Sequence, residues 1–236
     1  SSAVSTAAAV CAFSAAGPGR HEGLVRPGLR WLAGQVNADG GWGDTDNSPS
    51  NLSATLLVRA AFAAAGDPPE HAGRIASGER WIASAAGSTQ PAALAGAIAA
   101  RYGNDRTFSA PILAACAAAG LLGSGPAAWR GVPRLPFELA ACPRRLLKWL
   151  RLPVVSYALP ALIAVGQARH RFVPSGNPLL RLLRWMLREK TLKVLEAIQP
   201  ESGGFLEAAP LTGFVVMCLC VAGRGGHPVA ARGLQF

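Results

Sequence analysis

The chain consists largely of alanine-rich, helix-forming segments that are interrupted by glycine and proline. This feature restricts the possible folds more than any other. Runs such as AAFAAA at residues 60–65 and AALAGAIAA at residues 92–100 favour closely packed helices, because alanine loses no side-chain entropy in a helix. Hardly any segment has the apolar and polar alternation of a β-strand. The sequence therefore predicts an all-α protein. Helices are predicted at residues 5–16, 24–35, 53–65, 72–85, 92–101, 110–122, 137–152, 154–167, 179–198 and 211–221.

The size and composition favour a cytoplasmic protein with a substantial core. The chain has 236 residues and is 50% hydrophobic. Its longest central apolar run, residues 153–166, contains Pro160 and is shorter than the ~20 residues that a membrane-spanning helix needs. No basic stretch precedes the first apolar run, so no signal peptide is expected. The five cysteines are odd in number and lie in apolar segments, which predicts reduced core residues.

The formal net charge of +10 raises the question of an acidic partner. Nucleic acid is not expected, because the arginines do not alternate with an RNA-binding aromatic motif and no zinc-finger spacing occurs. Basic residues also suit anionic lipid headgroups, and a high arginine content can equally reflect a GC-rich coding sequence. The four histidines lie at no metal-ligand spacing, and no phosphate-binding glycine loop occurs, so neither a metal nor another cofactor is expected.

Two segments repeat one order of parts: a helix, a glutamine, a Gly-Gly turn and an aromatic residue. They are GLRWLAGQVNADGGWG at residues 28–43 and LKVLEAIQPESGGF at residues 192–205. A glutamine at a helix end can donate its amide to carbonyls without an intrahelical partner, while the aromatic ring covers that amide. Each unit would join one helix pair to the next, which predicts a structural role for Gln35, Gly40, Trp42, Gln199, Gly203 and Phe205.

These units resemble the QW repeats of squalene-hopene and oxidosqualene cyclases. Residues 129–138, WRGVPRLPFE, are similar to a V-P-x-x-P-x-E segment of those enzymes, and residues 148–155, KWLRLPVV, are similar to their W-A-R segment. The matching segments follow the family's order and cover nearly the whole chain. The resemblance implies an α/α barrel (toroid) of helix-pair repeats, with residues 1–236 forming one partial domain that leaves inner-helix surface uncovered.

In such class II triterpene cyclases, which are isomerases, an aspartate of a D-x-D-D motif protonates a linear polyene, and aromatic faces stabilise the resulting carbocation. The resemblance places this chain in the non-catalytic barrel, so the acid is expected outside it and no catalytic residue within it. The position aligned with the acid, residues 51–55, holds no carboxylate and is predicted to begin an inner helix. The loop DTDN at residues 44–47 is predicted to cap helices.

The resemblance also implies which residues line the substrate cavity. Trp149 is the first candidate, although packing in the core or at a membrane surface explains it equally well; the others are Phe108, Phe214 and Pro210. Ala209 replaces a polar residue that helps to end cyclisation, and Leu57 replaces an acidic one. These departures leave open an alternative function: a non-enzymatic α/α toroid that binds a lipid or a protein.

The partners implied by the resemblance are squalene or a related polyprenoid of hopanoid-like or sterol-like metabolism, the remaining cyclase half with the second barrel, and a membrane surface. Residues 179–188, from Leu179 to Arg188, would contact the inner face of the membrane as a peripheral or monotopic helix. A core-facing apolar stripe with a solvated basic face fits the same sequence.

Glu138 and Arg151 are expected to form a structural ion pair or to bind helix termini.

Overall fold

The computed structural model describes residues 2–142 and 158–236. Within these ranges eleven α-helices form, and no strand forms apart from one isolated bridge between Ser2 and Thr45. The predicted all-α fold class is therefore confirmed. The helices are α1 (Ala3–Ala15), α2 (Glu22–Gly34), α3 (Leu52–Ala64), α4 (Ala72–Ala86), α5 (Pro91–Tyr102), α6 (Arg106–Ala118), α7 (Gly125–Arg130), α8 (Leu159–Phe172), α9 (Pro178–Ile198), α10 (Ala209–Leu219) and α11 (Pro228–Gly233).

Side chains that cap helix N-termini explain where two of these helices begin. Asn51 precedes α3, and its Oδ1 accepts a hydrogen bond from the Ala54 N–H at 3.0 Å, in agreement with the helix start predicted there. The Oδ1 of Asp105 accepts a hydrogen bond from the Thr107 N–H at 2.8 Å. Helix α6 consequently begins at Arg106, ahead of the start predicted at residue 110.

Four other elements differ from the sequence prediction. Helix α8 ends at Phe172, five residues beyond the end predicted at residue 167. The helix predicted at residues 137–152 contains only a short 3₁₀ turn, Phe137–Ala141, in its described part. Helices α7 and α11 were not predicted. Each is six residues long and carries a proline in its first turn, where the missing N–H is not needed, so neither has the apolar periodicity that identifies a longer helix.

Helices α1, α3, α6, α8 and α10 form the centre of the molecule, and few of their residues are exposed. Helix α1 packs against α3 and α10, α3 packs against α6, α6 packs against α8, and α8 packs against α10. This order returns to the helix where it began, while α6 also contacts α10. Helices α2, α4, α5 and α9 lie outside these five and bury only a few residues each.

Helices α1 and α10 are in contact, which joins the first and the last of the five central helices. The two helices approach closely at Gly213. A Cβ at this position would lie 2.8 Å from the carbonyl oxygen of Ala8, so the glycine allows the backbones to meet. The first and the last long central helices therefore bury one another.

The second repeat unit is held together by Gln199, which is buried. Its Nε2 donates hydrogen bonds to the carbonyl of Gly203 at 2.8 Å and to that of Val229 at 3.1 Å. The first bond closes the Gly-Gly turn, and the second reaches α11. The amide thus links the C-terminal end of α9 to the following helices.

In the first repeat unit the tryptophan performs the linking instead of the glutamine. The Gln35 side chain has no hydrogen-bond partner among the described residues, whereas the Trp42 indole Nε1 donates to the Leu32 carbonyl in the last turn of α2 at 2.8 Å. The same carbonyl also accepts a hydrogen bond from the backbone N–H of Gln35 at 3.1 Å, so two donors meet at the end of α2. Gly40 has a φ of +89°, close to the +88° of Gly203, so the two turns share their left-handed glycine.

Both units are fastened to the next central helix by the same bond. The backbone N–H of Trp42 donates to the Thr55 Oγ1 at 2.9 Å, and that of Phe205 donates to the Thr212 Oγ1 at 2.9 Å. Each threonine is the fourth residue of its helix, α3 or α10. The repeat seen in the sequence is therefore also a repeat of hydrogen bonds, with both aromatic rings buried.

Three of the five cysteines, Cys11, Cys116 and Cys218, are fully buried thiols of the central helices. Burial raises the pKa of Cys11 and of Cys116 to about 12. At pH 8 only about one such thiol in ten thousand is ionised, and the thiolate is the reactive form. We expect a disulfide-exchange reagent to modify at most Cys142 and Cys220 in the folded protein and all five in denaturant. Rapid modification of a third thiol before unfolding would contradict this.

Candidate functional site

A cavity of about 600 Å³ lies where the N-terminal turns of the central helices come together. This volume is within the range of small-molecule sites in proteins, about 300–1,000 Å³. Most of the lining side chains are apolar, which suits a hydrocarbon ligand better than a charged one. Helix α3 contributes Ser53 and Leu57, α6 contributes Thr107, Phe108 and Pro111, and α10 contributes Pro210 and Phe214.

These three helices present equivalent positions to the cavity. The second residue of each lines it, and so does the sixth, because residues four apart lie on one helix face. The hydroxyl of the fourth residue is held by hydrogen bonds to the chain preceding the helix. The second and sixth residues are Ser53 and Leu57 in α3, Thr107 and Pro111 in α6, and Pro210 and Phe214 in α10.

Three of the predicted cavity residues lie at this one site: Phe108, Pro210 and Phe214. Phe214 is buried in the wall, whereas Phe108 is 59% exposed and stacks on Tyr102 with ring centroids 6.2 Å apart. Trp149 lies outside the described residues. The departure from the family at Leu57 also lies in the cavity wall, at the position in α3 that corresponds to Phe214 in α10.

The polar groups of the cavity are few. The Ser53 Oγ and the Tyr102 Oη lie 2.8 Å apart and share one hydrogen bond. Tyr102 was not selected from the sequence, because it lies at the end of α5, 49 residues from Ser53, and no local pattern connects the two. This hydroxyl pair could hold one hydrogen-bonding end of a ligand.

Asp44 is the one carboxylate among the described lining residues, and it lies in an exposed loop at the rim. Its Oδ1 accepts a hydrogen bond from the Asn51 Nδ2 at 3.1 Å, and its carbonyl accepts one from the Ala3 N–H at 3.1 Å. These bonds hold the segments that begin α3 and α1. The capping role predicted for residues 44–47 matches this geometry.

Leu206 is a second lining residue that was not selected from the sequence. It is 62% exposed and has a φ of +54°, and the next residue, Glu207, has a φ of +51°. Left-handed backbone costs a residue with a Cβ about 1–2 kcal/mol. The segment that departs from the family pattern therefore holds an apolar side chain at the mouth of the cavity in a strained conformation.

A second cavity, of about 670 Å³, lies at the opposite, C-terminal ends of α1 and α3. It holds none of the predicted site residues. Its lining includes Glu22, Arg26, Glu70 and two histidines, so it is less suited to an apolar ligand. No group of three or more potential ligand residues that could hold a metal occurs in residues 2–142 and 158–236.

Five apolar side chains of the stretch predicted for membrane contact are exposed, whereas Leu180 and Leu187 are half-buried, so most of the stripe does not face the core of the described residues. Arg184, on another side of α9, is buried. No described helix combines the length and the apolar character needed to cross a membrane. The exposed apolar side chains of α9 are Leu179, Leu182, Leu183, Trp185 and Met186, between 44% and 76% exposed.

Glu138 has a different partner from the one expected. Its Oε2 and Oε1 accept hydrogen bonds from Nε and Nη2 of Arg184, each at 3.0 Å, and both side chains are buried. The Arg184 guanidinium also lies 5.3 Å from the centre of the Phe137 ring. Arg151 lies outside the described residues, and the bidentate pair with Arg184 takes the structural role that was predicted for Glu138.

Comparison with known proteins does not place the chain in a family. No family model, no curated protein and no solved structure matches it.

Proposed function

We propose that this chain is part of a squalene-hopene cyclase-like protein and forms one wall of a cavity for squalene or a related polyprenoid. One observation carries the proposal: Phe108, Pro210 and Phe214, which the resemblance to the family selected, line a single apolar cavity. The closed packing order of the central helices supports an α/α barrel as the architecture. The equivalent threonine bonds of the two repeat units support helix-pair repeats.

The chemistry of such a cavity is to shape and protect a carbocation. An acid outside this chain, in the remaining half of the protein, protonates a terminal double bond of the polyene. The rings of Phe108 and Phe214 then attract positive charge through their faces, each by about 0.5–2 kcal/mol, without acting as bases. Loss of a proton or addition of water ends the reaction, and loss of the proton gives an isomer of the substrate.

The exposed apolar stripe of α9 supports attachment to the inner face of a membrane, as a peripheral or monotopic protein. A polyprenoid is soluble in that membrane and not in water. A surface that rests on the membrane would therefore bring the cavity within reach of its substrate.

A second function, binding of a lipid without catalysis, is favoured by the direction of the helices. The N-terminal turns of the central helices line the cavity. The helix dipole is positive at this end and disfavours a cation nearby by about 0.3–1 kcal/mol for each helix. A neutral polyprenoid is not affected by this field, so the same cavity would hold one without promoting its cyclisation.

Replacing Phe214 with alanine is expected to lower cyclisation by about two- to thirtyfold, through loss of the ring face. The protein is expressed from its full open reading frame, membranes are incubated with squalene, and the lipid extract is analysed by mass spectrometry. A cyclised isomer of unchanged mass is expected. Phe13→Ala, in the second cavity, is the matched control and should retain activity.

The two functions give different results in this experiment. Squalene that binds to the folded protein and is recovered unchanged supports the non-catalytic function. Failure to bind squalene or another polyprenoid overturns both functions. A Phe214→Ala variant that binds and reacts like the parent overturns the assignment of the substrate to this cavity.

A further inference from the structure

A third pocket, of about 440 Å³, lies between the end of α8, one side of α9 and the segment after α10. It shares no lining residue with the apolar cavity. None of the described residues that line it is acidic. Its basic lining residues are His170, Arg171, Arg181, Arg184, Arg188 and Arg224.

The positive charge of this pocket is only partly neutralised. Arg184 is paired with Glu138, and Arg188 and Arg224 share Glu189, with 3.3 Å between the Arg188 Nε and the Glu189 Oε1. Five arginines therefore face two carboxylates. Arg171 and Arg181 complete the five, and neither has an acidic partner among the described residues.

No other part of the chain can supply the missing negative charge. Residues 143–157, which read PRRLLKWLRLPVVSY, contain neither aspartate nor glutamate. Burial, followed by the nearby positive charge of Arg184, lowers the pKa of His170, so that this side chain is neutral at pH 7. Its Nδ1 is buried without a hydrogen-bond partner. An anion in the pocket would relieve the repulsion between the arginines and could use the imidazole as a further donor.

Helix α9 has an exposed apolar side next to its basic side, and this combination favours a membrane lipid as the source of the anion. Leu179, Leu182, Leu183 and Met186 follow the i, i+3, i+4, i+7 spacing of one helix face, and all four are exposed. The arginines of the helix lie on other sides and line the pocket. Trp185 is both exposed and part of the pocket lining, and tryptophan is enriched where apolar and polar layers of a membrane meet.

We propose that the arginine pocket binds the phosphate group of an anionic phospholipid while the apolar stripe of α9 enters the same leaflet. Guanidinium groups suit this ligand, because their planar N–H pairs match two phosphate oxygens. The acyl chains would meet Leu179, Leu182, Leu183 and Met186. The site goes beyond the proposed polyprenoid cavity and does not depend on it.

The experiment measures binding of the chain to vesicles by co-sedimentation. Vesicles of phosphatidylcholine alone are compared with vesicles that also contain phosphatidylglycerol. Each basic residue near an anionic surface contributes about fivefold to binding, so Arg171→Gln/Arg181→Gln should weaken binding to the anionic vesicles by about thirtyfold. The matched control is Arg30→Gln/Arg74→Gln, which removes two equally exposed charges from α2 and α4 and should lose less than about threefold.

Four results would overturn the proposal. The first two are equal losses of vesicle binding in the two double variants and equal binding of the parent to both kinds of vesicle. The third is binding of inorganic phosphate, without lipid, that is as tight as vesicle binding. The fourth is a pocket variant that binds a DNA duplex more weakly than the parent does but binds vesicles equally well. Unchanged circular dichroism and melting temperature show that the variants fold. Squalene binding in detergent should remain at the parent's level in Arg171→Gln/Arg181→Gln, which keeps failure of this site distinct from failure of the cavity.

Discussion

Replacing Glu138 with alanine is expected to lower the free energy of unfolding by about 3–5 kcal/mol. The Arg184 side chain is only 8% exposed, and both of its paired nitrogens donate to this carboxylate. Without Glu138 the guanidinium becomes a buried charge with no counterion, next to the other arginines of the pocket. Urea unfolding followed by circular dichroism measures the loss, with the slope of the transition checked for a change in unfolded-state exposure.

A second ion pair supplies the control for this prediction. Arg59 also binds a carboxylate, that of Glu79, at 2.8 Å, but the Glu79 side chain is 46% exposed and Arg59 retains Asp67 at 2.7 Å when Glu79 is removed. Glu79→Ala should therefore cost at most about 1 kcal/mol. Glu138→Ala/Arg184→Met, which removes both charges, should recover most of the loss. A Glu138→Ala variant no less stable than Glu79→Ala would show that Arg184 finds water or another partner.

The helix pattern of the chain could be predicted because its causes are local. Asn51 and the threonine that follows it fix the start of α3, and glycine and proline interrupt the apolar segments. The positions of Leu57 and Phe214 follow from the same local order, since each lies two residues after the threonine that binds the repeat turn. Phe214 itself was selected as a cavity residue from the resemblance to the cyclases, and not from this local order.

The partners of the polar side chains could not be predicted, because they are distant in sequence. Ser53 and Tyr102 are separated by 49 residues, and Glu138 and Arg184 by 46. The two repeat units also have the same local pattern, yet Trp42 makes the linking bond in one and Gln199 in the other. The acceptor that Gln199 reaches on α11, the Val229 carbonyl, is 30 residues away, and the sequence of one unit does not contain that contact.

The orientation of α9 also depends on residues that are distant in sequence. Its sequence has an apolar side and a basic side, and the pattern alone does not tell which side faces the protein. The buried face carries Arg184 together with Thr191, Leu192 and Leu195, and Glu138 binds Arg184 on that face. The partner of Arg184 and the surfaces that cover the two leucines lie far away in sequence, so the pattern of α9 alone could not predict which side is left exposed.

Replacing Gly203 with alanine is expected to destabilise the protein by about 2–5 kcal/mol. The φ of +88° alone costs an alanine about 1–2 kcal/mol. The new Cβ would also lie 2.4 Å from the carbonyl oxygen of Arg232 in α11, so either the turn or the helix has to move. Movement would break the hydrogen bonds that Gln199 donates to Gly203 and Val229, and a buried donor without a partner costs about 1–3 kcal/mol.

Gly66 separates the cost of the left-handed backbone from the cost of the steric contact. Its φ is +84°, and no atom lies within 4 Å of the position that a Cβ would take. Gly66→Ala should therefore lose only the backbone contribution, about 1–2 kcal/mol. Thermal or urea unfolding of both variants gives the difference, which measures how firmly α11 is held against the repeat turn. A difference near zero between the two losses of stability would mean that α11 can move at little cost. The hydrogen bonds of Gln199 would then contribute little to the packing of α11 against α9. A difference of about 1–3 kcal/mol would mean that the glycine is required there by contact as well as by conformation.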